Sequence, residues 1–578
     1  MPAVTAHFEQ LEPNAAYVAA LVADGLAPLL ARILVLRGFE TPEKAQKFLQ
    51  PPLADLPDPT LLTGVVDAAR LIADALASGD KICVYGDYDV DGISAAALLD
   101  DFFRSLGHQV RVFLPDRFRD GYGLHYDRLQ ELCDDGIALF ISVDCGTTSV
   151  REIQAVRDRS RHFIVCDHHA LGPELPNADV VLNPQRPECT YPDRGLSAVG
   201  VALVLAQALR RELHARGRTA PVELKQLIEL AALGTIADMA PLVGVNRILC
   251  WHGLRLLGKS QRPGVQRLAA RNTKIASISA DRVGFHLAPP INAAGRMADP
   301  QTAFELLTTR SQERALELAD LIDLENNRRK DAQASATEVA IVQARVQEGR
   351  EHAVVVAHAD WHQGVVGIVA NKVKDECAVP TFVLAICEDG VARGSGRSIS
   401  GYDLVAGLRA IHEDGLFERF GGHAMAAGVT IRADRVETFR ARLQNHVAQT
   451  LPHAQRDRAV RVDAELAVAD LELSIVDLLE QLEPCGKGNE RPQFLLRGVE
   501  VHRPIFMGKD KDWARGVLLE AGTQPAWARR GVEFFGARML LGEFRDRDRV
   551  DAVVRLERNV HNGKVTLQAT LVALQAAR

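Results

Sequence analysis

The chain reads as an α/β protein of several domains: a parallel-sheet domain, a long connecting helix, a smaller α/β domain and a C-terminal β-barrel. Three observations predict this. Short apolar runs at 81–85 (KICVY), Leu139–Val143 (LFISV) and His162–Cys166 (HFIVC) read as buried strands, with helical stretches such as 93–106 between them; this is the βαβ pattern of a parallel sheet. Residues 311–347 contain no Gly or Pro, and Ala315, Leu318, Ala319 and Ile322 fall at helical spacing, as in a helix joining two lobes. Beyond residue 455 the pattern turns to alternation, as in Val499-Glu500-Val501 and Val565-Thr566-Leu567-Gln568, with Gly turns between short strands.

Taken in order, residues 1–60 form a small helical entry segment that ends in Pro51-Pro52 and Leu56-Pro57-Asp58-Pro59 turns. The parallel-sheet domain occupies 61–250. A helical region containing the connecting helix covers 251–350. The second α/β domain, 351–453, has strand candidates at 353–356, 381–385 and 426–431. The β-domain takes 455–578.

A length of 578 residues suits three or four domains, and 47% apolar residues suffice to fill their cores. The nine cysteines include no CxxC pair, which argues against a zinc ribbon or disulfide framework and for a reducing compartment. The start, MPAVTAHFEQLEP, has no basic n-region or apolar h-region, and no apolar run reaches membrane-spanning length, so the expected location is the cytoplasm. The net charge of −7 on its own speaks against nucleic acid. Local balance differs. Residues 255–282 hold seven basic residues (Arg255, Lys259, Arg262, Arg267, Arg271, Lys274, Arg282) against Asp281, and 497–564 hold 14 basic and 10 acidic residues. Either stretch is a solvated face or a track for an anionic strand.

Acidic segments follow the apolar runs: Asp87-Tyr88-Asp89-Val90-Asp91-Gly92, then Asp144, then Asp167-His168-His169; Asp238 closes an amphipathic stretch. Ligands of open parallel sheets sit at the carboxyl ends of the strands, where these groups converge. One such Asp is ordinarily a helix cap. Capping alone does not explain three strand ends and a His pair. Four or more carboxylates in one crevice repel unless cations neutralise them, and a pair of Mn²⁺ or Mg²⁺ ions is the simplest occupant. A second match is a decoy. Residues 253–260 fit the phosphate-loop expression GxxxxGK[ST], but they fall within an amphipathic helical run and precede Pro263-Gly264, so ATP is not expected there.

At these residues the chain resembles the DHH phosphoesterase superfamily, whose four motifs match Asp87-to-Gly92, Asp144, Asp167-His168-His169 and Asp238 in order. Gly394-Ser395-Gly396-Arg397-Ser398 and Phe420-Gly421-Gly422-His423 resemble the associated DHHA1 domain. Asn292-Ala293-Ala294-Gly295-Arg296 and Asp360-Trp361-His362-Gln363-Gly364 narrow the match to the bacterial single-strand-specific 5′→3′ exonucleases. The resemblance implies a DHH domain, a DHHA1 domain and a C-terminal OB-like barrel, with Phe506, Trp513, Trp527, Phe534 and Phe535 as candidate stacking rings. It implies a two-metal exonuclease of DNA repair and recombination, acting on single-stranded DNA from the 5′ end without ATP. By resemblance Asp144 bridges the metals; Asp87, Asp89, Asp91, His168 and Asp238 complete their shell, with Asp167 orienting His168. His169 serves the scissile phosphate or leaving oxygen, and Arg296 contacts phosphates near the metals. Arg117, Ser395 and Arg397, the last two in a Gly-rich loop, hold a 5′-phosphate, and His423 contacts the nucleotide. Many superfamily members carry a metal-binding His where this chain has Tyr85. Implied partners are a single-strand-binding protein and a RecQ-type helicase. The alternative within the superfamily is a phosphodiesterase of short oligonucleotides or cyclic dinucleotides; a non-catalytic scaffold would have lost the acids that are intact here.

Overall fold

Runs of buried, β-branched and aromatic residues build the first sheet. Its strands are Ile82–Gly86 (β2), Arg111–Phe113 (β3), Leu139–Val143 (β4), His162–Cys166 (β5) and Val180–Leu182 (β6), in the order β3-β2-β4-β5-β6 and all parallel. Every side chain of β2 and β4 is buried, as a sheet covered on both faces requires. Helices Val65–Ser78, Val90–Ser105, Ala198–Ala215 and Leu224–Ala237 pack into one apolar core on one side of it. The computed structural model describes residues 7–117, 119–219, 221, 223–271, 278–451, 459–508, 513–522, 524, 529–542, 544–561 and 563–577.

The connecting helix runs from Gln312 to Val346, capped at its start by the Ser311 side chain. Ala315, Leu318, Ala319 and Ile322 lie in the core of the first lobe, while Ala336, Ala340 and Ala344 lie in that of the second. At 1.5 Å per residue it is about 50 Å long, enough to hold both lobes at fixed spacing.

The second sheet contains Val354–His358 (β7), Thr381–Ile386 (β8), Val391–Arg397 (β9), Arg419–His423 (β10) and Ala426–Arg432 (β11), in the order β10-β11-β9-β8-β7. Gly394 to Arg397, expected as a Gly-rich loop, is strand β9. The glycines serve packing: a Cβ on Gly396 would lie 2.4 Å from the Phe382 ring, and one on Gly394 2.6 Å from Leu384.

The C-terminal strands Phe494–Met507 (β14), Trp513–Leu519 (β15), Gly531–Ala537 (β16), Arg549–His561 (β17) and Lys564–Ala576 (β18) close on themselves, since β14 pairs with both β15 and β17. The entry helices Ala15–Ala23, Pro28–Leu36 and Pro42–Leu49 share one apolar core with this barrel. His7–Gln10 (β1) pairs in parallel with Ala459–Val462 (β12), and Arg32 donates to the Asp463 carbonyl at 2.7 Å. The two ends of the chain thus form one unit, which local sequence pattern does not show.

Candidate metal centre and anion pocket

The carboxylates gather where β2, β4 and β5 end. Asp144 follows β4 directly with φ +63°, left-handed backbone that is strained for a residue with a Cβ, and its N–H donates to the Cys166 carbonyl at 3.0 Å. Asp89 caps helix Val90–Ser105, its Oδ1 accepting from Asp91 and Gly92 N–H at 2.9 and 3.2 Å. Capping and cluster membership coexist here, because a carboxylate has a second oxygen. Asp91 is anchored from afar: Ala198 and Val199 N–H, at the start of helix Ala198–Ala215, donate to it at 2.8 and 2.9 Å. Asp238 ends helix Leu224–Ala237.

Three groups of ligand atoms lie within 4.8 Å of one another: Asp87, Asp89 and Asp144; Asp91, His168 and Asp238; Asp144, His168 and His169. His168 Nε2 is 3.2 Å from Asp144 Oδ1 and 3.9 Å from both Asp91 and Asp238. Asp87 Oδ1, Asp144 Oδ1 and His168 Nε2 are buried without a hydrogen-bond partner among the described residues. Orphaned buried oxygens and an imidazole nitrogen in adjoining groups that share Asp144 and His168 are an O/N donor set that fits hard divalent cations. Burial and neighbouring carboxylates push Asp87, Asp91 and Asp144 well above the usual carboxylate range, and Asp238, by burial and Asp89, up to about 7.

The histidines differ. Burial and the neighbouring His169 pull His168 down to about 4, so it is a neutral donor. Asp167, expected to orient His168, instead holds His169 Nδ1 at 2.7 Å; it also accepts the His168 and His169 N–H at 2.8 and 3.2 Å and that of Thr147 at 3.0 Å. Burial disfavours charge on His169, but the Asp167 hydrogen bond and charge override it and raise His169 to about 9. The consecutive residues diverge because His169 turns back onto Asp167 while His168 points into the cluster. Asn183 locks this turn, donating to the Thr147 hydroxyl at 3.0 Å and the His169 carbonyl at 2.9 Å.

Tyr85 takes no part. Its ring is fully buried against Phe113, at 4.9 Å, and its hydroxyl donates to the Gly123 carbonyl at 3.4 Å. Sequence reading missed Tyr122, whose hydroxyl is 3.3 Å from His169 Nε2. The signal was present: Gly121 and Gly123 flank it, both with positive φ, in a turn made to present one ring.

Beside the carboxylates lies a cationic pocket. Arg117 stands 5.2 Å over the Tyr88 ring. Burial and the charge of Arg117 lower both Arg296, to about 10, and Arg397. None of the three makes an ion pair among the described residues. Helix Val366–Cys377 starts here. A Cβ on Gly367 would sit 3.0 Å from Arg397 Nη2 and 3.3 Å from Ser395 Oγ, so this helix start abuts both side chains. Unpaired guanidiniums at a helix N-terminus make an anion site. Asn292 and Gly295 press the Arg296 segment onto the acidic loop: Asn292 Oδ1 accepts from Val90 N–H at 3.2 Å, and a Cβ on Gly295 would lie 2.4 Å from the Tyr88 carbonyl. His423 is not gathered in. It is exposed, in the row Thr381–Arg397–Ala426–His423, two strands out from Arg397 and about 10 Å away by strand spacing.

Other sequence candidates divide. In the basic run 255–282, Arg262 is buried between Asp101 and Glu229, Arg271 pairs with Asp323, Arg282 donates to the Ala269 carbonyl and Arg255 lies on Trp251; Lys259 and Arg267 are exposed, and Lys274 lies outside the described residues. Residues 253–260 belong to helix Gly244–Leu257 and the turn after it, with Gly253 against Ala232 and Ile228 of the neighbouring helix. On the barrel, Trp513 is exposed and stacks on Phe535 at 4.9 Å, Phe506 is exposed beneath Arg538, and Phe534 is core; Trp527 lies outside the described residues. Among the described residues no helix is long and apolar enough to cross a membrane.

Sequence models of three domains match in the same order: the DHH family N-terminal domain over residues 81–235, the DHHA1 domain over 350–449 and the RecJ OB domain over 462–573. The chain is 35% identical over 486 residues to the single-stranded-DNA-specific exonuclease RecJ of Dickeya dadantii, covering 82% of this chain and 84% of that protein. It is 36% identical over 501 residues to the RecJ of Bacillus subtilis, covering 86% of this chain and 62% of that longer protein. The crystal structure of Thermus thermophilus RecJ in complex with Mn²⁺ superimposes with a TM-score of 0.84 at 29% identity, over 100% of this chain and 80% of the other. With three matched domains in one order and a carboxylate–histidine cluster at the strand ends, the chain belongs to the RecJ family.

Proposed function

We infer that this protein is a divalent-metal-dependent exonuclease that hydrolyses single-stranded DNA from its 5′ end, in DNA repair and recombination. The observation that carries the reading is Asp144 grouped with Asp87 and Asp89 and also with His168, where Asp87 Oδ1, Asp144 Oδ1 and His168 Nε2 are buried without a hydrogen-bond partner among the described residues, beside three arginines that make no ion pair there. Asp87, Asp89, Asp91, Asp144, His168 and Asp238 would hold two ions, Mn²⁺ or Mg²⁺. Such ions neutralise charge developing on the phosphate and acidify water near neutral pH. The chain's own residues do the rest. Asp167 keeps His169 protonated, and its Nε2–H, which meets the Tyr122 hydroxyl in the structure, would pass to the leaving 3′-oxygen. Arg117, Arg397, Ser395 and the start of helix Val366–Cys377 hold the terminal 5′-phosphate, while Arg296 lies nearer the acids.

In this reading the division of labour follows the chain: chemistry in 61–250, end recognition in 351–453, strand binding in 455–578 through rings such as Trp513 and Phe535. No ATP takes part, the location is the cytoplasm, and a single-strand-binding protein and a RecQ-type helicase are the partners. The test uses 5′-labelled and 3′-labelled single strands, as DNA and RNA, with Mn²⁺ and with EDTA. Mononucleotide release from the 5′ end of DNA, abolished by EDTA, is expected. Cleavage confined to dinucleotides or cyclic dinucleotides would replace this reading with the small-substrate one.

A further inference from the structure

The loop before β14, Pro484-Cys485-Gly486-Lys487-Gly488-Asn489-Glu490, lies against the segment that follows Asp238. Leu242 N–H donates to the Lys487 carbonyl at 2.8 Å. The flanking glycines permit this approach: a Cβ on Gly486 would be 2.7 Å from Leu242 Cδ1, and one on Gly488 3.5 Å from Pro241 Cβ. The loop is tied down on every side. Asn489 Nδ2 donates to the Leu482 and Pro484 carbonyls at 2.9 and 2.7 Å. The buried Arg247 donates to the carbonyls of Leu482, Glu483 and Pro484, each at 3.1 Å. Gly486 and Asn489 bond each other through their backbones.

On this fixed platform the Lys487 side chain is exposed, and its ammonium makes no ion pair among the described residues. Through the Leu242 contact its loop lies four residues past Asp238, and the ammonium is near enough for its charge to act on Asp238 and His168. Arg117, over the Tyr88 ring, and the Arg296 segment, pressed against the Tyr88 carbonyl, flank the acidic loop from the side of the anion pocket. The carboxylate cluster therefore has cations on two sides, and only one side is the end pocket.

We propose that Lys487 is a substrate-positioning residue that meets the backbone phosphate on the 3′ side of the scissile bond. This rests on the functional reading above. A strand anchored by its 5′-phosphate at Arg117 and Arg397 crosses Asp87 and Asp89 and leaves past Asp238, where the next phosphate faces Lys487. A rigid backbone beneath a free ammonium keeps the ordering loss on binding small. The C-terminal segment thus contributes directly to the site as well as to strand binding.

The test measures kcat and KM of wild type, Lys487→Ala and Lys487→Arg on 5′-phosphorylated single-stranded DNA across a salt series, with thermal unfolding and Mn²⁺ titration alongside. Lys487→Ala should lower kcat/KM about tenfold, mainly through KM, as loss of one charged hydrogen bond does. Its plot of log kcat/KM against log salt should be shallower by about 0.7, one counterion on a single strand. Lys487→Arg should restore both. A strand with an uncharged methylphosphonate immediately 3′ of the scissile bond should slow wild type and abolish the difference between wild type and Lys487→Ala. Unchanged KM and salt slope in Lys487→Ala overturn the proposal. So does a defect that persists on the methylphosphonate strand with a shifted Mn²⁺ midpoint, which would place the lysine's action on the cations. A wild-type protein inert on every single strand overturns the functional reading, and this inference with it.

Discussion

Two clusters of charge, one acidic and one basic, met opposite fates. The acids at 87–91, 144, 167 and 238 converge from four elements and leave buried atoms without partners. Of the bases at 255–282, several are taken into the packing: Arg262 is closed between Asp101 at 2.5 Å and Glu229 at 2.6 Å, and Arg271 reaches Asp323 at 2.8 Å, while Lys259 and Arg267 stay exposed. Density of like charge in the sequence is the same signal in both. What separates them is whether the fold supplies counter-charges. A buried cation with its counter-charges in place is costly only to break, whereas an unsatisfied acid needs something from outside the chain.

The sharpest way to break this contrast is Asp144→Asn. Hydrolysis should fall far beyond the ~10–100-fold that loss of a supporting hydrogen bond costs, with the unfolding temperature kept or raised, because a buried repelling carboxylate has gone. Near-normal turnover at saturating Mn²⁺ would end the assignment of Asp144 as the shared ligand. The basic cluster predicts the reverse. Arg262→Ala leaves the buried Glu229 without its counter-charge and Asp101 with Arg310 alone, and should destabilise by about 3–5 kcal/mol in urea unfolding. A variant of normal stability that binds single strands poorly would return Arg262 to the substrate.

Cation binding sharpens the acid side. Asp238 is raised to about 7, with Asp87, Asp91 and Asp144 also raised. A raised carboxyl contributes stability that is full below its unfolded value of about 3.9 and is lost as pH rises through the folded value. His168, lowered to about 4, opposes this only up to its unfolded value of about 6.5. Cations take the deprotonated carboxylates and reverse the loss. The Mn²⁺-induced rise in Tm should therefore be larger at pH 8 than at pH 6, where about 2.7 kcal/mol corresponds to a hundredfold excess over Kd. A rise independent of pH would mean that the raised carboxyls are not the ligands. The smallest effect belongs to the anion pocket. Arg397→Ala should lower the preference for 5′-phosphate over 5′-hydroxyl ends by about 1.5–3 kcal/mol, read as a ratio of kcat/KM values. An unchanged ratio removes Arg397 from the end pocket.

Much of the site was legible because its signals are local. An apolar run that stops at Asp is visible within six residues, and the Gln312–Val346 helix shows in a stretch without Gly or Pro and in apolar residues at helical spacing. The glycines of β9 misled, since Gly394 and Gly396 mark room for Leu384 and Phe382 of the adjacent strand rather than a flexible turn. Asp167 misled in a subtler way: its tie to His169 depends on a turn held by Asn183, 14 residues on.

The sequence by itself determined the order of α/β and β segments, the acidic strand ends and the connecting helix, because hydrophobic period and the Gly and Pro positions act over a few residues. Only the tertiary structure decided partners. Asp91 sits on a helix start 107 residues away, the entry helices share a core with the barrel, and Lys487 approaches Asp238 from the far end of the chain. Periodicity says which face of an element is buried. It does not say which charge meets which across hundreds of residues, because that depends on how the packed elements close around one another.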